Sequence, residues 1–267
     1  HEWEEADEPW QFLAACEEYY HCVLRCDRQE TSLPVATDAT CSGLQILAGL
    51  ARDRSTAKLV NVLPSDRPQD AYKVVANTAT PYVPKSIKPY MDRKTVKRVV
   101  MTVPYNAKPF SNRGYIKDAL KEKGVEIDKD DLTKTVIAVR NAMDEVVPGP
   151  MAVMSWIESE VAKAIDSGKT ELSWVTPSGF VVTQKLMKRK TQEIKLQLHG
   201  RCRLKVAVDE SDKVDKQHHK NATAPNLIHS LDASLLHLSA LRFDAPIALI
   251  HDSVLCRADR KSTRLNS

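Results

Sequence analysis

The stretch Arg93–Asn106 constrains the fold most, because it combines a helical charge pattern with a fixed end. Arg93 and Lys97 are four residues apart, so they share one face of a helix. Pro104 disfavours helical conformation at the preceding residue, which predicts that the helix stops there with Tyr105 at its exit. Cations on successive turns suit a polyphosphate, and a ring at the end suits a base or a sugar. A solvated basic helix face remains the alternative.

The composition predicts a globular chain with a sizeable core. Hydrophobic residues make up 42% of the 267, and no apolar run approaches the ~20 residues that a membrane span needs. The first residues are acidic, so no signal peptide is expected. The net charge of +4 is compatible with nucleic acid, and residues 185–205 are densely basic.

The cysteines predict no metal site, because none forms a C-x-x-C pair. We expect small core residues in a reducing cytosol. The six positions are Cys16, Cys22, Cys26, Cys41, Cys202 and Cys256.

The apolar periodicity predicts mainly helices, with several short strands. The expected helices are 9–26, one from Ser42 or Gly43, one from Ser65 or Asp66, the basic helix ending at 103, 112–122, a stretch over 132–165 broken at 148–150, and 224–241. The expected strands are 33–37, 172–176, 180–184, 194–198, 203–208 and 247–250.

Asp38 and Asp252 each follow a predicted apolar strand, which we expect to be buried. Carboxylates fixed in this way suit a hard cation, and two together can hold a pair of Mg²⁺ ions about 3.5–4 Å apart. Taken singly, an aspartate at such a position is more often a turn or helix-cap residue than a metal ligand. His229 lies near the start of its predicted helix and alone indicates nothing. His218 and His219 fall in a predicted charged loop and are given no role.

Four motifs follow one another along the chain: Asp38–Gly43, Arg93–Tyr105, Ala224–Asp232 and Ile250–Ser253. Further segments that agree lie at 61–65, 69–72 and 174–180. In this order the motifs resemble those of the single-subunit, phage-type RNA polymerases, a family that includes the mitochondrial enzymes. The resemblance covers residues 6–256.

The resemblance implies an α+β, helix-rich fold, the palm and fingers of a right-hand polymerase with a β-hairpin insertion. Residues 1–60 and 223–258 would form the two parts of the palm, and 61–222 the fingers. A basic hairpin over about 185–220 would read promoter DNA. Residues 259–267 match the translation of a common sequencing-adaptor DNA, so we expect this tail to be an artefact and the chain to be a fragment.

The resemblance also implies catalytic roles. Asp38 and Asp252 match the palm aspartates that bind two Mg²⁺ ions. Arg93 and Lys97 match fingers-helix cations that contact the triphosphate of the incoming nucleotide, and Lys97 is counted as catalytic together with Tyr105.

Sugar recognition is implied at three further positions. Tyr105 matches the tyrosine that helps to discriminate NTP from dNTP, His229 the histidine near the ribose 2′-OH, and Tyr72 a fingers tyrosine near the active site. Asn106 stands where the family usually has glycine, which leaves the sugar selectivity open. Ala39 likewise replaces a common glycine beside the first aspartate.

DNA contacts are expected from cations beside the basic helix and on the hairpin. They are Arg98, Lys195, Arg201, Arg203 and Lys205.

The implied function is DNA-directed RNA synthesis, with template and promoter DNA, NTPs and RNA as partners and no membrane. We expect a monomeric nucleotidyltransferase in the cytoplasm of a phage-infected bacterium, or alternatively in the mitochondrial matrix, and a fragment that is inactive alone. Two alternatives stay open: a family A-like DNA polymerase, whose second metal motif usually has glutamate where Ser253 stands, and a non-catalytic nucleic-acid-binding module.

Overall fold

The computed structural model of the chain describes residues 2–196, 202–250 and 253–257. It is helix-rich with three small antiparallel sheets. The chain divides into two compact units, one formed by 1–39 with 235–267 and the other by 40–234. In the described part, no helix is both long and apolar enough to cross a membrane.

One short helix, Arg54–Leu59, was not predicted, and the others follow the predicted order with shifted ends. The helices are α1 (Pro9–Tyr19), α2 (Ser42–Ala51), α3 (Arg54–Leu59), α4 (Ala71–Ala79), α5 (Arg93–Thr102), α6 (Pro109–Lys121), α7 (Lys129–Val146), α8 (Pro148–Asp166) and α9 (Lys216–Arg242).

The strands form one three-stranded and two two-stranded sheets, with the orders β1-β7-β6, β2-β3 and β4-β5. They are β1 (Pro34–Thr37), β2 (Leu172–Val175), β3 (Val181–Gln184), β4 (Met187–Leu196), β5 (Cys202–Val214), β6 (Ile247–Ile250) and β7 (Ser253–Arg257). The sequence analysis missed β7.

The register of the three-stranded sheet brings three strand ends to one edge. Thr37 at the end of β1 pairs with Val254, and Ile250 at the end of β6 pairs with Ser253. Asp38, which directly follows β1, is therefore at the edge where β6 ends and β7 begins. Asp252 lies outside the described residues.

The core of the unit 40–234 explains why α5 forms where the sequence predicts it. Val96, Val99 and Val100 are fully buried on one face of this helix. Asp92 caps its N-terminus by accepting from the Thr95 backbone N–H at 3.0 Å. A 3₁₀ turn over Val103–Tyr105 then ends the helix, as the proline predicts.

Two helix starts correct the sequence analysis. Helix α4 begins after Asp70, whose side chain accepts from the Lys73 N–H at 3.1 Å, and not at Ser65 or Asp66. Helix α9 begins at Lys216, eight residues before the predicted start, and contains Pro225. The proline marks a helix interior here, so the expectation of a charged loop around His218 and His219 is wrong.

The basic hairpin lies within the expected range of about 185–220, but its strands are longer than the predicted 194–198 and 203–208: β4 begins at Met187 and β5 ends at Val214. Their register pairs Glu193 with Lys205, and Lys205 is exposed. Arg201 and the side chains of Lys195 and Arg203 lie outside the described residues.

The cysteines correct a second expectation. Cys41 and Cys256 are buried, as a core role predicts. Cys16 and Cys26 are exposed and Cys22 is partly exposed, because α1 and the turn that continues it bury no residue in the structure. The side chain of Cys202 lies outside the described residues.

Candidate functional site

Three of the predicted motifs meet at the ring of Tyr105, within the unit 40–234. The ring stacks on the imidazole of His229 on α9, with centroids 4.5 Å apart and planes 23° apart. Its hydroxyl lies 3.1 Å from the Ser42 hydroxyl at the start of α2. Tyr105 is half-buried and His229 is exposed, so one side of the pair is open to a ligand.

Gly43 lets the Tyr105 ring approach α2. A Cβ atom at Gly43 would lie 3.0 Å from Pro104 Cβ and 3.1 Å from Tyr105 Cζ. These distances are shorter than ordinary carbon contacts of about 3.5–4.0 Å. The sequence analysis quoted Ser42 and Gly43 within a motif and assigned them no contact, because nothing local shows what packs on them.

The cation Arg93 is held by α4. Its Nε donates to Asp70 Oδ2 at 2.9 Å, and its guanidinium lies 5.0 Å from the centroid of the Tyr72 ring. Both contacts fix a side chain that remains half exposed. Lys97, one turn along, is exposed, and within the described residues it has no ion pair.

Arg98 contacts α6, whereas Arg93 contacts α4. The Arg98 guanidinium lies 5.4 Å from the Tyr115 ring and 4.0 Å from the Asp118 carboxylate, both on α6. The side chain is well exposed, so the contact with Asp118 contributes little to stability.

Tyr72 is buried, and the face of its ring contacts the Arg93 guanidinium. Its hydroxyl donates to the Thr40 carbonyl at 2.7 Å, and burial together with the neighbouring Cys41 thiol raises its pKa. The hydroxyl therefore stays protonated and keeps this donor role. Burial likewise raises the pKa of Cys41. The structure places the Tyr72 ring under Arg93, at 2% exposure.

Asp38 is exposed at the end of β1, and its carboxylate accepts from the Ala39 N–H at 2.8 Å. Carboxylate oxygens suit Mg²⁺, and the second oxygen is not used by this contact. Within the described residues, no three His, Cys, Asp or Glu side chains are close enough to hold a metal ion. The second predicted ligand, Asp252, lies outside those residues.

His219 is a buried residue that the sequence analysis missed. The Leu186 backbone N–H donates to its Nε2 at 3.1 Å, and the Gln184 amide lies 3.1 Å from its Nδ1. Burial and the nearby His218 lower its pKa, so the ring is held neutral. These contacts tie the strands β3 and β4 to the helix that carries His229.

The hairpin β2-β3 is fixed to the same helix by two hydrogen bonds. Trp174 Nε1 donates to Ser230 Oγ at 2.9 Å, and the Ser178 N–H donates to Ser234 Oγ at 2.7 Å. The position of His229 is therefore set by contacts on both sides of it.

Comparison with known proteins gives one family over nearly the whole chain. The family described as DNA-dependent RNA polymerase matches residues 1–263. The mitochondrial DNA-directed RNA polymerase of Mus musculus is 35% identical over 254 residues, which are 90% of this chain and 21% of the relative.

Two further relatives agree. The mitochondrial DNA-directed RNA polymerase of Homo sapiens is 34% identical over 90% of this chain and 21% of its own length. DNA-directed RNA polymerase 2, chloroplastic/mitochondrial, of Nicotiana sylvestris is 31% identical over 94% of this chain and 27% of its own length. The chain thus spans about a fifth to a quarter of these curated relatives. The four ordered motifs and the match over residues 1–263 show that the chain belongs to the DNA-dependent RNA polymerase family.

Proposed function

We propose that this chain is the catalytic segment of a DNA-directed RNA polymerase, which extends an RNA 3′ end with NTPs on a DNA template. The observation that carries the proposal is the convergence of Ser42, Tyr105 and His229 at one open ring stack. Motifs from three distant parts of the chain meet there, beside the helix that presents Arg93 and Lys97.

The cations of α5 bind the triphosphate. Arg93 is oriented by Asp70 and Tyr72, so little side-chain freedom is lost when a phosphate binds. Lys97 is exposed and supplies a second positive charge. As the RNA 3′-hydroxyl attacks the α-phosphate, both cations stabilise the negative charge that develops on the departing pyrophosphate.

The stacked pair of Tyr105 and His229 binds the sugar. A ribose against this pair meets a phenol hydroxyl and an imidazole, which are polar groups able to hydrogen-bond a 2′-hydroxyl. A site built to bond a hydroxyl rejects the analogue that lacks it, because its own polar groups are then left unpaired.

Asp38 and Asp252 hold two Mg²⁺ ions. The strand register supports this assignment, since Asp38 follows β1 at the edge where β6 ends. Mg²⁺ held there would lower the pKa of the attacking hydroxyl and stabilise the leaving group. The chain would supply the carboxylate oxygen ligands from the residues that follow β1 and β6.

The division into palm and fingers is part of the proposal. The two ends of the chain, 1–39 and 235–267, form one compact unit and the middle, 40–234, forms another, so the units share the arrangement of the proposed division but not its bounds. We assign the palm to 1–60 and 223–258 and the fingers to 61–222; residues 40–60 and 223–234 of this palm belong to the central unit. The exposed lysines and arginines of β4 and β5, Lys205 among them, would contact promoter DNA, and Arg98 on α5 would supply a further DNA contact.

The relatives bear on the source and on the alternatives. Their names favour the organellar location over a phage-infected cell. They also favour RNA synthesis over the DNA polymerase and binding-module alternatives. We keep the expectation of a monomer.

Replacing Tyr105 by Phe tests the sugar assignment. In the complete polymerase, we expect Tyr105→Phe to lower the preference for rNTP over dNTP in kcat/KM at least tenfold, because one polar partner of the ribose is lost. The control is Tyr82→Phe, since Tyr82 is 72% exposed on another face. An unchanged ratio in Tyr105→Phe would contradict the assigned role.

A further inference from the structure

Asn106 directly follows the Tyr105 ring and has a left-handed backbone, with φ 63° and ψ 29°. Asparagine tolerates this conformation better than most residues, but glycine adopts it without cost. The family pattern has glycine here, so the backbone alone does not account for asparagine. The side chain makes contacts that glycine cannot make.

The amide of Asn106 reaches the first turns of α9. Its Nδ2 donates to the Asn221 carbonyl at 3.1 Å and lies 3.5 Å from the Lys220 carbonyl. Its Oδ1 accepts from Lys108 Nζ, which also pairs with Glu158 on α8 at 2.9 Å. The side chain therefore joins the exit of α5 to α9 and, through Lys108, to α8.

The Asn221 carbonyl needs such a donor. In an α-helix it would accept from the N–H of residue 225, four positions on. That residue is Pro225, which has no N–H. A half-buried carbonyl without a partner is costly, and the Asn106 amide supplies the missing hydrogen bond.

Pro225 lies four residues, about one helical turn, before His229 on the same helix. The direction of α9 beyond the proline decides where the His229 ring lies. Asn106 holds α9 at this point, and its neighbour in the chain is the tyrosine on which His229 stacks.

We propose that Asn106 is a positioning residue for sugar recognition: by satisfying the carbonyl that Pro225 leaves without a donor, it holds the His229 ring against Tyr105. This inference rests on the proposed function for its role in choosing ribose. The contact itself does not depend on that function, so the two can be tested separately.

The direct test follows the His229 Cε1–H proton by NMR in the 267-residue chain at fixed pH. A ring stacked at 4.5 Å shifts this signal upfield. We expect Asn106→Gly, which keeps the left-handed backbone, to lose most of that shift. Asn106→Asp is a second variant: its carboxylate still accepts from Lys108, but it has no N–H to donate to the Asn221 carbonyl. It should lose the shift as well.

The proline provides the decisive control. Pro225→Ala restores the N–H that Asn221 lacks, so in this background Asn106→Gly should change the His229 signal much less than in the native chain. Equal effects in both backgrounds, or no effect of Asn106→Gly in the native chain, would overturn the proposal.

The functional readout uses the complete polymerase. We expect Asn106→Gly to reduce the rNTP-over-dNTP ratio of kcat/KM about fivefold, the equilibrium effect of one hydrogen bond. A changed NMR signal with an unchanged ratio would overturn the sugar role of Asn106. An unmodified complete protein that incorporates no nucleotide would instead refute the proposed function, and the NMR result would then decide the contact alone.

Discussion

Replacement by alanine should have opposite effects on the free energy of unfolding at the two glycines of α2. Gly43 faces Pro104 and Tyr105, whereas no atom lies within 4 Å of a Cβ built at Gly49. In an open helical position, Gly→Ala stabilises a helix by about 0.5–1 kcal/mol. Gly49→Ala should therefore raise the free energy of unfolding of the chain.

Gly43→Ala should lower that free energy. The added methyl would lie 3.0 Å from Pro104 Cβ, so the neighbouring atoms must move by about half an ångström to reach an ordinary carbon contact of ~3.5 Å. Pro104 is buried, and because its side chain is a closed ring, its Cβ cannot rotate away. Overpacking of this kind costs about 1–3 kcal/mol, which exceeds the gain in helix propensity.

Urea unfolding of the chain measures both effects. The gain in helix propensity is common to both variants, so we expect them to differ by the overpacking cost, about 1–3 kcal/mol in the free energy of unfolding, with the native chain between them. If Gly43→Ala is as stable as Gly49→Ala, the close packing of Tyr105 on α2 is wrong. In the complete polymerase, the displaced ring should also weaken the preference for rNTP.

Two further predictions concern groups with shifted pKa values. Burial lowers the pKa of His219, so its neutral form stabilises the fold above about pH 6.5, and this contribution is lost as the pH falls through the lower folded value. His219→Gln should flatten the fall in unfolding free energy between about pH 7 and 5, whereas His237→Gln, a change at an exposed position, should not. Burial alone would raise the pKa of Asp53, but hydrogen bonds from Ser55, Thr56 and Gly149 lower it to about 2. The ionised Asp53 carboxylate therefore stabilises the fold above pH 3.8, and this stabilisation is lost as the pH falls towards 2. Asp53→Asn should remove that part of the acid unfolding transition followed by circular dichroism. An acid midpoint identical to that of the native chain would contradict this.

The sequence predicted elements whose causes are local. The helix α5 is set by its valine periodicity and by the cap at Asp92, and its end by Pro104. The break between α7 and α8 falls at Pro148 for the same reason. Such signals act within a few residues, so the sequence displays them directly.

Other features depend on contacts that the sequence cannot display. The predicted helix begins at residue 224, yet α9 begins at Lys216 and runs through Pro225. The amide that donates to the Asn221 carbonyl there belongs to Asn106, far away in the chain. The burial of His219 depends on strands that pack over it. The family resemblance implied that Tyr105 and His229 both lie near the ribose, but it did not imply that their rings stack. No local pattern joins residues so far apart in the chain.

The central claim is that Asp38 binds a catalytic metal in a template-directed RNA polymerase. The direct measurement is Mg²⁺-dependent NTP incorporation by the complete polymerase carrying Asp38→Asn, beside the native protein and Asp66→Asn, a change at an exposed carboxylate. We predict that Asp38→Asn reduces incorporation at least a hundredfold with nearly unchanged DNA binding, because a metal ligand charge is lost. Incorporation by Asp38→Asn at the level of the native protein would contradict the metal assignment and the mechanism built on it.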